Sequence, residues 1–361
     1  FEVFQKVDAS NVTLTGTAGV AANWQVLAGT LTASGGNAIF DTSNVDVSSG
    51  ATFALSNNET IGSLTGAAGS FVTLGASTLT TGGDNSSMTF AGLISGVGGG
   101  LTKTGSGTMT LTGANSYTGA TSVNAGALRI TNASALGTTA GGTTVADGAA
   151  LELQGGVSVG AEALTLNGTG IANGGALRNI AGNNTYAGPI TLGSASRINS
   201  DANSLGITGA INNGGFLLTV GGAGATTFSG AAVISGAGGL TKEGTGTASL
   251  FMANTYMGVT TVNDGVLQIT GGNAIVDTGA VVVNAPGQLQ VFASESIGSL
   301  ASNGSILISG GSTLTTGLDN TNTTFSGVIS EQLGSAILIK QGTGNFTLSG
   351  ANTYSGPTNV N

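Results

Sequence analysis

Cysteine and histidine are absent from this chain of 361 residues, and proline occurs only 3 times. Without cysteine there is no disulfide framework and no thiolate metal site. Without either residue, and with no dense aspartate cluster, nucleophilic triads and transition-metal centres have almost no material. Charge is scarce as well: 7 basic and 16 acidic residues, 6% of the chain with a net charge of −9. With no basic cluster, nucleic acid and anionic membranes are excluded as partners. No apolar run reaches the ~18 residues of a membrane helix, so this segment is not expected to insert into a bilayer. No charged-then-apolar leader opens the sequence.

Glycine is abundant, 66 of 361 residues, well over twice the roughly 7% of ordinary proteins. Hydrophobic residues reach 40%, and there is no collagen triplet, so a disordered glycine tract is excluded. With so little charge, the surface must be built from Thr, Ser, Asn and Gly, which suits a secreted bacterial surface protein. Helical periodicity is missing. Apolar residues alternate with period two over four to six positions and are then broken by Gly, Asn or Asp. Thr52-Phe53-Ala54-Leu55 and Phe216-Leu217-Leu218-Thr219-Val220 are examples. Strands this short cannot bury a face alone; winding them into stacked coils lets each coil hydrogen-bond to the next. The expected fold is therefore all-β, a right-handed parallel β-helix (β-solenoid) with coils of roughly 20–25 residues.

One motif is written four times. It reads GGLTKTGSGTMTLTGANSYTGATSVNAGAL around Lys103 and GGLTKEGTGTASLFMANTYMGVTTVNDGVL around Lys242. A third copy, AILIKQGTGNFTLSGANTYSGPTNVN, starts at Ala336, and a worn copy surrounds Lys6. The lysines are 97 (103−6), 139 (242−103) and 98 (340−242) residues apart. The long interval exceeds the short one by 42 (139−97), about two coils, so the motif is expected to mark where whole coils begin again. Between motifs, 36–92 aligns with 272–327: SGGNAIFDT is answered by TGGNAIVDT and STLTTGGDN by STLTTGLDN. The chain reads as one continuous β-helix over 1–361, with cassettes at approximately 1–98, 99–237 and 238–335 and a partial motif at 336–361. Both ends fall inside the motif, so the sequence reads as a piece of a longer polypeptide.

Gly99, Gly100, Leu101, Lys103, Gly105, Gly107, Leu111, Gly113, Asn115, Tyr117 and Gly119 carry a pattern that resembles the passenger-associated transport repeat of bacterial autotransporters. Gly238, Gly239, Leu240, Lys242, Gly244, Gly246, Asn254, Tyr256 and Gly258 repeat it, with Met252 in place of a Gly. The third copy keeps Lys340, Gly342, Gly344, Leu348, Gly350, Asn352, Tyr354 and Gly356 without the leading Gly pair. In the first, Ala18 and Val20 stand at the Asn and Tyr positions. The resemblance implies a passenger β-helix secreted by the type V route through a C-terminal outer-membrane barrel. It implies a location at the bacterial cell surface or outside the cell. It implies no particular activity.

Several β-helix proteins act on polysaccharides, so paired acids need weighing. Asp41/Asp277, Glu59/Glu295 and Asp84/Asp319 recur at the same cassette positions, as turn or cap residues do and a catalytic centre does not. Asp46, Asp147, Glu152, Glu162 and Asp201 are not repeated; Glu152 and Glu162 could lie on neighbouring coils, with Arg129, Arg178 and Arg197 nearby. TGGDN at 81–85 is a fragment of a calcium nonapeptide, and the turn reading is preferred. GVGGGLTKTGSG superficially suggests a phosphate loop, but no helix follows it and the Gly-Lys-Ser/Thr spacing is missing. The lysines are expected on a solvated outer face, and Trp24 as a partly buried wall residue. No catalytic, cofactor-binding or metal-binding residue is assigned, and the chain is read as non-enzymatic. The expected function is a rigid surface scaffold supporting adhesion or autoaggregation, with the host-cell or matrix surface, or a second copy, as partner. A self-associating filament is the alternative, and a toxin or polysaccharide-active enzyme a third class. With no buried His or ion pair to act as a switch, little change is expected between mildly acidic and neutral pH.

Overall fold

The structure, a computed structural model, describes residues 2–361. Among these, strands of 2 to 11 residues alternate with tight corners, and the one helical element is a 3-10 turn at Ile171–Asn173. Strand pairing is parallel throughout, forming a β-solenoid of about 17 turns. The chain divides into two compact units, up to Arg178 and from Asn179.

In the first unit, three columns of strands stack coil on coil. One runs through Glu2–Lys6, Ala22–Val26, Asn44–Val47 and Ser63–Gly66 and on to Ala150–Gln154. A second joins Asn11–Leu14, Thr30–Ala33, Thr52–Leu55, Phe71–Thr73 and Leu93–Ser95. The third joins Glu59–Ile61, Thr78–Thr81, Gly100–Lys103, Thr121–Val123, Thr143–Val145 and Leu164–Gly168. Partners are one coil apart: Glu2 pairs with Ala22, Val45 with Leu64 and Thr78 with Gly100, steps of 20 (22−2), 19 (64−45) and 22 (100−78) residues.

The period-two pattern decides which side chains enter the core. Val45, Val47, Phe53, Leu55 and Ile61 of one coil all point inward and are buried. Coils stack like on like: Leu79 beside Leu101, Met88 beside Met109, and Phe90 beside Leu111. Each such side chain contributes roughly 1.5–3 kcal/mol on burial. Trp24 is half-buried and stacks on Phe4 with ring centroids 4.8 Å apart, on the same column as Val45. Outward positions of the third column form a rank of hydroxyls: Thr60, Thr80, Thr102, Ser122, Thr144 and Thr165.

The second unit is built the same way. One column passes through Leu218–Gly221, Leu240–Lys242, Thr260–Val262, Ala280–Val283 and Ser299–Ala301. Another passes from Asn184–Tyr186 through Thr247–Leu250 to Val328–Gln332. A third joins Glu295–Ser296, Thr313–Thr316, Ile337–Lys340 and Thr358–Val360.

The motif does not recur at whole coils within either unit. Lys6 lies beside Val26, which lies beside Val47. Lys103 lies beside Thr81, which lies beside Ile61, on a different column. Lys242 and Lys340 likewise occupy different columns, beside Val262 and Thr316 respectively. Each strand-plus-corner has its own inward face, so the unit of register is the single strand. A shift by one strand preserves inside and outside as well as a whole coil does.

Candidate functional site: the lysine corners

Lys103 and Lys242 are 0% and 2% exposed, and Lys6 and Lys340 are buried too. The expected solvated face is overturned, and strand alternation gives the reason. In Leu101-Thr102-Lys103 the lysine shares the inward side with Leu101, as Lys242 does with Leu240. Its four-carbon stem fills the corner of the core, and its ammonium meets backbone carbonyls that the turn has directed inward.

The Lys103 ammonium donates to Thr104 O at 2.5 Å, Gly105 O at 2.9 Å and Ala125 O, one coil on, at 3.3 Å. Lys242 repeats this with Glu243 O at 2.7 Å, Gly244 O at 2.6 Å and Asp264 O at 3.2 Å. Lys340 donates to Gln341 O and Gly342 O. Lys6 reaches Asp8 and Ala28 O. Gly105, Gly244 and Gly342 have φ of 68°, 69° and 72°. Only a residue tolerant of that region turns its carbonyl back toward the ammonium without strain. Burial pushes the ammonium of both Lys103 and Lys242 down to about 8, so each keeps its proton at neutral pH. A buried cation held by three carbonyls is a joint between coils, with no coordination left for a ligand.

The motif Asn is a joint of the same kind, and the motif Tyr braces its own corner. Asn115 Oδ1 accepts from Ile94 N at 2.8 Å and its Nδ2 donates to Ala135 O at 2.6 Å, tying the preceding and following coils. Asn254 does the same with Ile234 N and Ala274 O, and Asn352 accepts from Ile329 N. The Tyr117, Tyr256 and Tyr354 hydroxyls bond to Thr121, Thr260 and Thr358 at 2.6–2.7 Å.

The recurring acids fall into three kinds. Glu59 and Glu295 are buried, and each accepts from two consecutive backbone N–H groups one coil earlier: Ala38 and Ile39 for Glu59, Ala274 and Ile275 for Glu295. Burial raises both carboxyls, Glu295 to about 7. Buried titrating groups are therefore present without histidine, contrary to the expectation from composition. Asp84 and Asp319 accept from the N–H and hydroxyl of Ser86 and Thr321, as turn residues do. Asp41 and Asp277 are exposed.

Among the unrepeated acids, Glu152 is paired with Arg129 on the preceding strand of its column at 2.8 Å and with Arg178 at 3.4 Å. Glu162 is buried, accepts from the Thr143 hydroxyl at 3.0 Å and is raised by that burial, while Asp147 is exposed. Asp46 accepts from Thr65, and Asp201 from Asn199. Glu152 is thus held by two arginines, and Glu162 meets a threonine hydroxyl.

The passenger-associated-transport-repeat model matches 101–130, 240–269 and 338–361, the stretches that hold these corners. The chain is also similar to an adhesin of Brucella suis biovar 1 (strain 1330), "Adhesin BmaC autotransporter", at 37% identity over 143 residues. That match covers 37% of the chain, and the chain spans 4% of the relative's length. No solved structure matches.

Proposed function

We propose that this stretch of autotransporter passenger, built on passenger-associated transport repeats and carried to the cell surface or beyond it, is a rigid scaffold. It would hold adhesive surface away from the cell. The observation that carries this reading is that motif residues bond coil to coil: Lys103 and Lys242 in two copies and Asn115, Asn254 and Asn352 in three, with Tyr117 and Tyr256 buried beside them. The motif residues that recur inside the coils therefore serve the stack, which leaves recognition to side chains on the outer surface. The adhesin relative supports an adhesive role for a passenger of this kind.

A second reading is homotypic. The rank from Thr60 to Thr165 is uncharged and free of long side chains, so two copies could lie against each other and autoaggregate. Display of the chain on cells through a translocator barrel tests both. Adherence to host-derived matrix with dispersed cells supports the scaffold, and settling of cells in clumps supports the homotypic face. Depolymerisation of a polysaccharide by the purified chain would overturn both.

A further inference from the structure

The coil after each of the first three motif copies contains an open groove, and in two of them its rim carries the same polar residues. In the first unit a groove of about 340 Å³ is lined by Ala18, Asn37, Phe40, Asp41 and Thr42. In the second, a groove of about 580 Å³ is lined by Met257, Asn273, Val276, Asp277 and Thr278. The two occupy equivalent positions: Ala18 N donates to Asn37 O as Asn254 N donates to Asn273 O, and the buried glutamates Glu59 and Glu295 brace the next two residues. Asn, Asp and Thr are kept at both sites while the apolar wall changes from Phe40 to Val276.

These rim side chains bond to nothing inside the fold; Asn273 takes a left-handed φ of 61°, and Asp41 and Asp277 act on Glu59 and Glu295 only through their charge. The side chains of Asn37, Asp41 and Thr42, and of Asn273, Asp277 and Thr278, are exposed and make no hydrogen bond or ion pair among the described residues. Asp8, Asp84 and Asp319, by contrast, are engaged in their own turns. A polar trio repeated without an internal bond points outward, to something that binds there. The third copy of this corner is a natural blank: Gly137, Thr138 and Thr139 stand where the other two have an apolar wall, Asp and Thr.

We propose that the two grooves are binding subsites for an uncharged sugar residue. The carboxylate accepts, the amide does both, and the hydroxyl does both, which suits vicinal sugar hydroxyls that also donate and accept. A cationic head group would need acceptors only. The apolar wall, Phe40 in one groove and Met257 with Val276 in the other, offers a face for sugar C–H groups. With a carboxylate and no basic residue on either rim, acidic sugars are repelled. Each groove has the volume for one or two sugar rings at most.

The proposal rests on the adhesive reading but can fail apart from it. The purified 361-residue chain is titrated with neutral glucose-, galactose-, mannose- and N-acetylglucosamine-terminated oligosaccharides, with sialylated and sulfated ones, and with an oligolysine peptide. Binding of one neutral class at two sites is expected, little changed by 0.5 M salt. Asp41→Asn or Asp277→Asn should each weaken one site roughly tenfold, and the double variant both, with far-UV signal unchanged. Absence of binding by every neutral sugar, or undiminished binding by the double variant, overturns the proposal. So does salt-sensitive binding of oligolysine alone. If displayed cells still adhere to matrix in those cases, the scaffold reading stands and the grooves are not its ligand sites.

Discussion

At the residue scale, the buried lysine is the feature with the largest energetic consequence. Lys103→Met keeps the stem and removes the ammonium, leaving the Thr104, Gly105 and Ala125 carbonyls without their donor. A loss of about 3 kcal/mol is expected, read as a lower urea midpoint. Asn115→Ala strips a buried N–H and a buried carbonyl of their partners and should cost about 2–3 kcal/mol by the same measurement. Tyr117→Phe removes one hydroxyl bond and should cost only about 1 kcal/mol. The lysine's place was readable. Leu-Thr-Lys alternation puts Lys103 on the side of Leu101, and all four lysines of the chain stand in the same motif. Scarcity of charge drew the expectation toward solvent instead, because burial of a cation is costly until its acceptors are known. Those acceptors are main-chain carbonyls set by glycine φ angles, and residue types do not reveal them.

At the scale of strand and corner, the buried glutamates set a pH dependence. The Glu295 carboxyl sits at about 7 in the fold against 4.5 when unfolded, with burial as the leading cause. The folded state therefore holds a proton that the unfolded chain has released between those values. Its stabilising contribution is full below pH 4.5 and is lost as pH rises through about 7. Acidification from pH 8 to pH 5 should raise stability by up to about 3 kcal/mol from this group, and Glu59 acts in the same direction. Glu295→Gln should flatten the profile over that window in urea titrations at stepped pH. An unchanged slope would mean that the carboxyl is not held as described. Pairing of Glu59 with Glu295 by repetition correctly marked them as structural. Their depth was hidden, since it depends on which corner N–H groups lie one coil below.

At the scale of the whole chain, strand period, corner residues and stacking were all legible, because period-two alternation and glycine punctuation are local signals. The spacing of the motif was legible as a number but not as a rotation. An interval of 97 residues (103−6) fits whole coils as easily as whole strands until the pairing of Lys6 with Val26 and of Lys103 with Thr81 separates the columns. The grooves were invisible for a related reason: Asp41 and Asp277 look like turn residues, and only their lack of an internal bond sets them apart. The central claim is that the repeated motif builds the stack from inside. Amine labelling of the native chain, followed lysine by lysine by mass spectrometry at pH 7.5, tests it most directly. Lys103 and Lys242 should stay unmodified until denaturant unfolds the coils, then label at the rate of free lysine. Rapid labelling of either in the folded protein would place the motif at the surface and contradict the assignment.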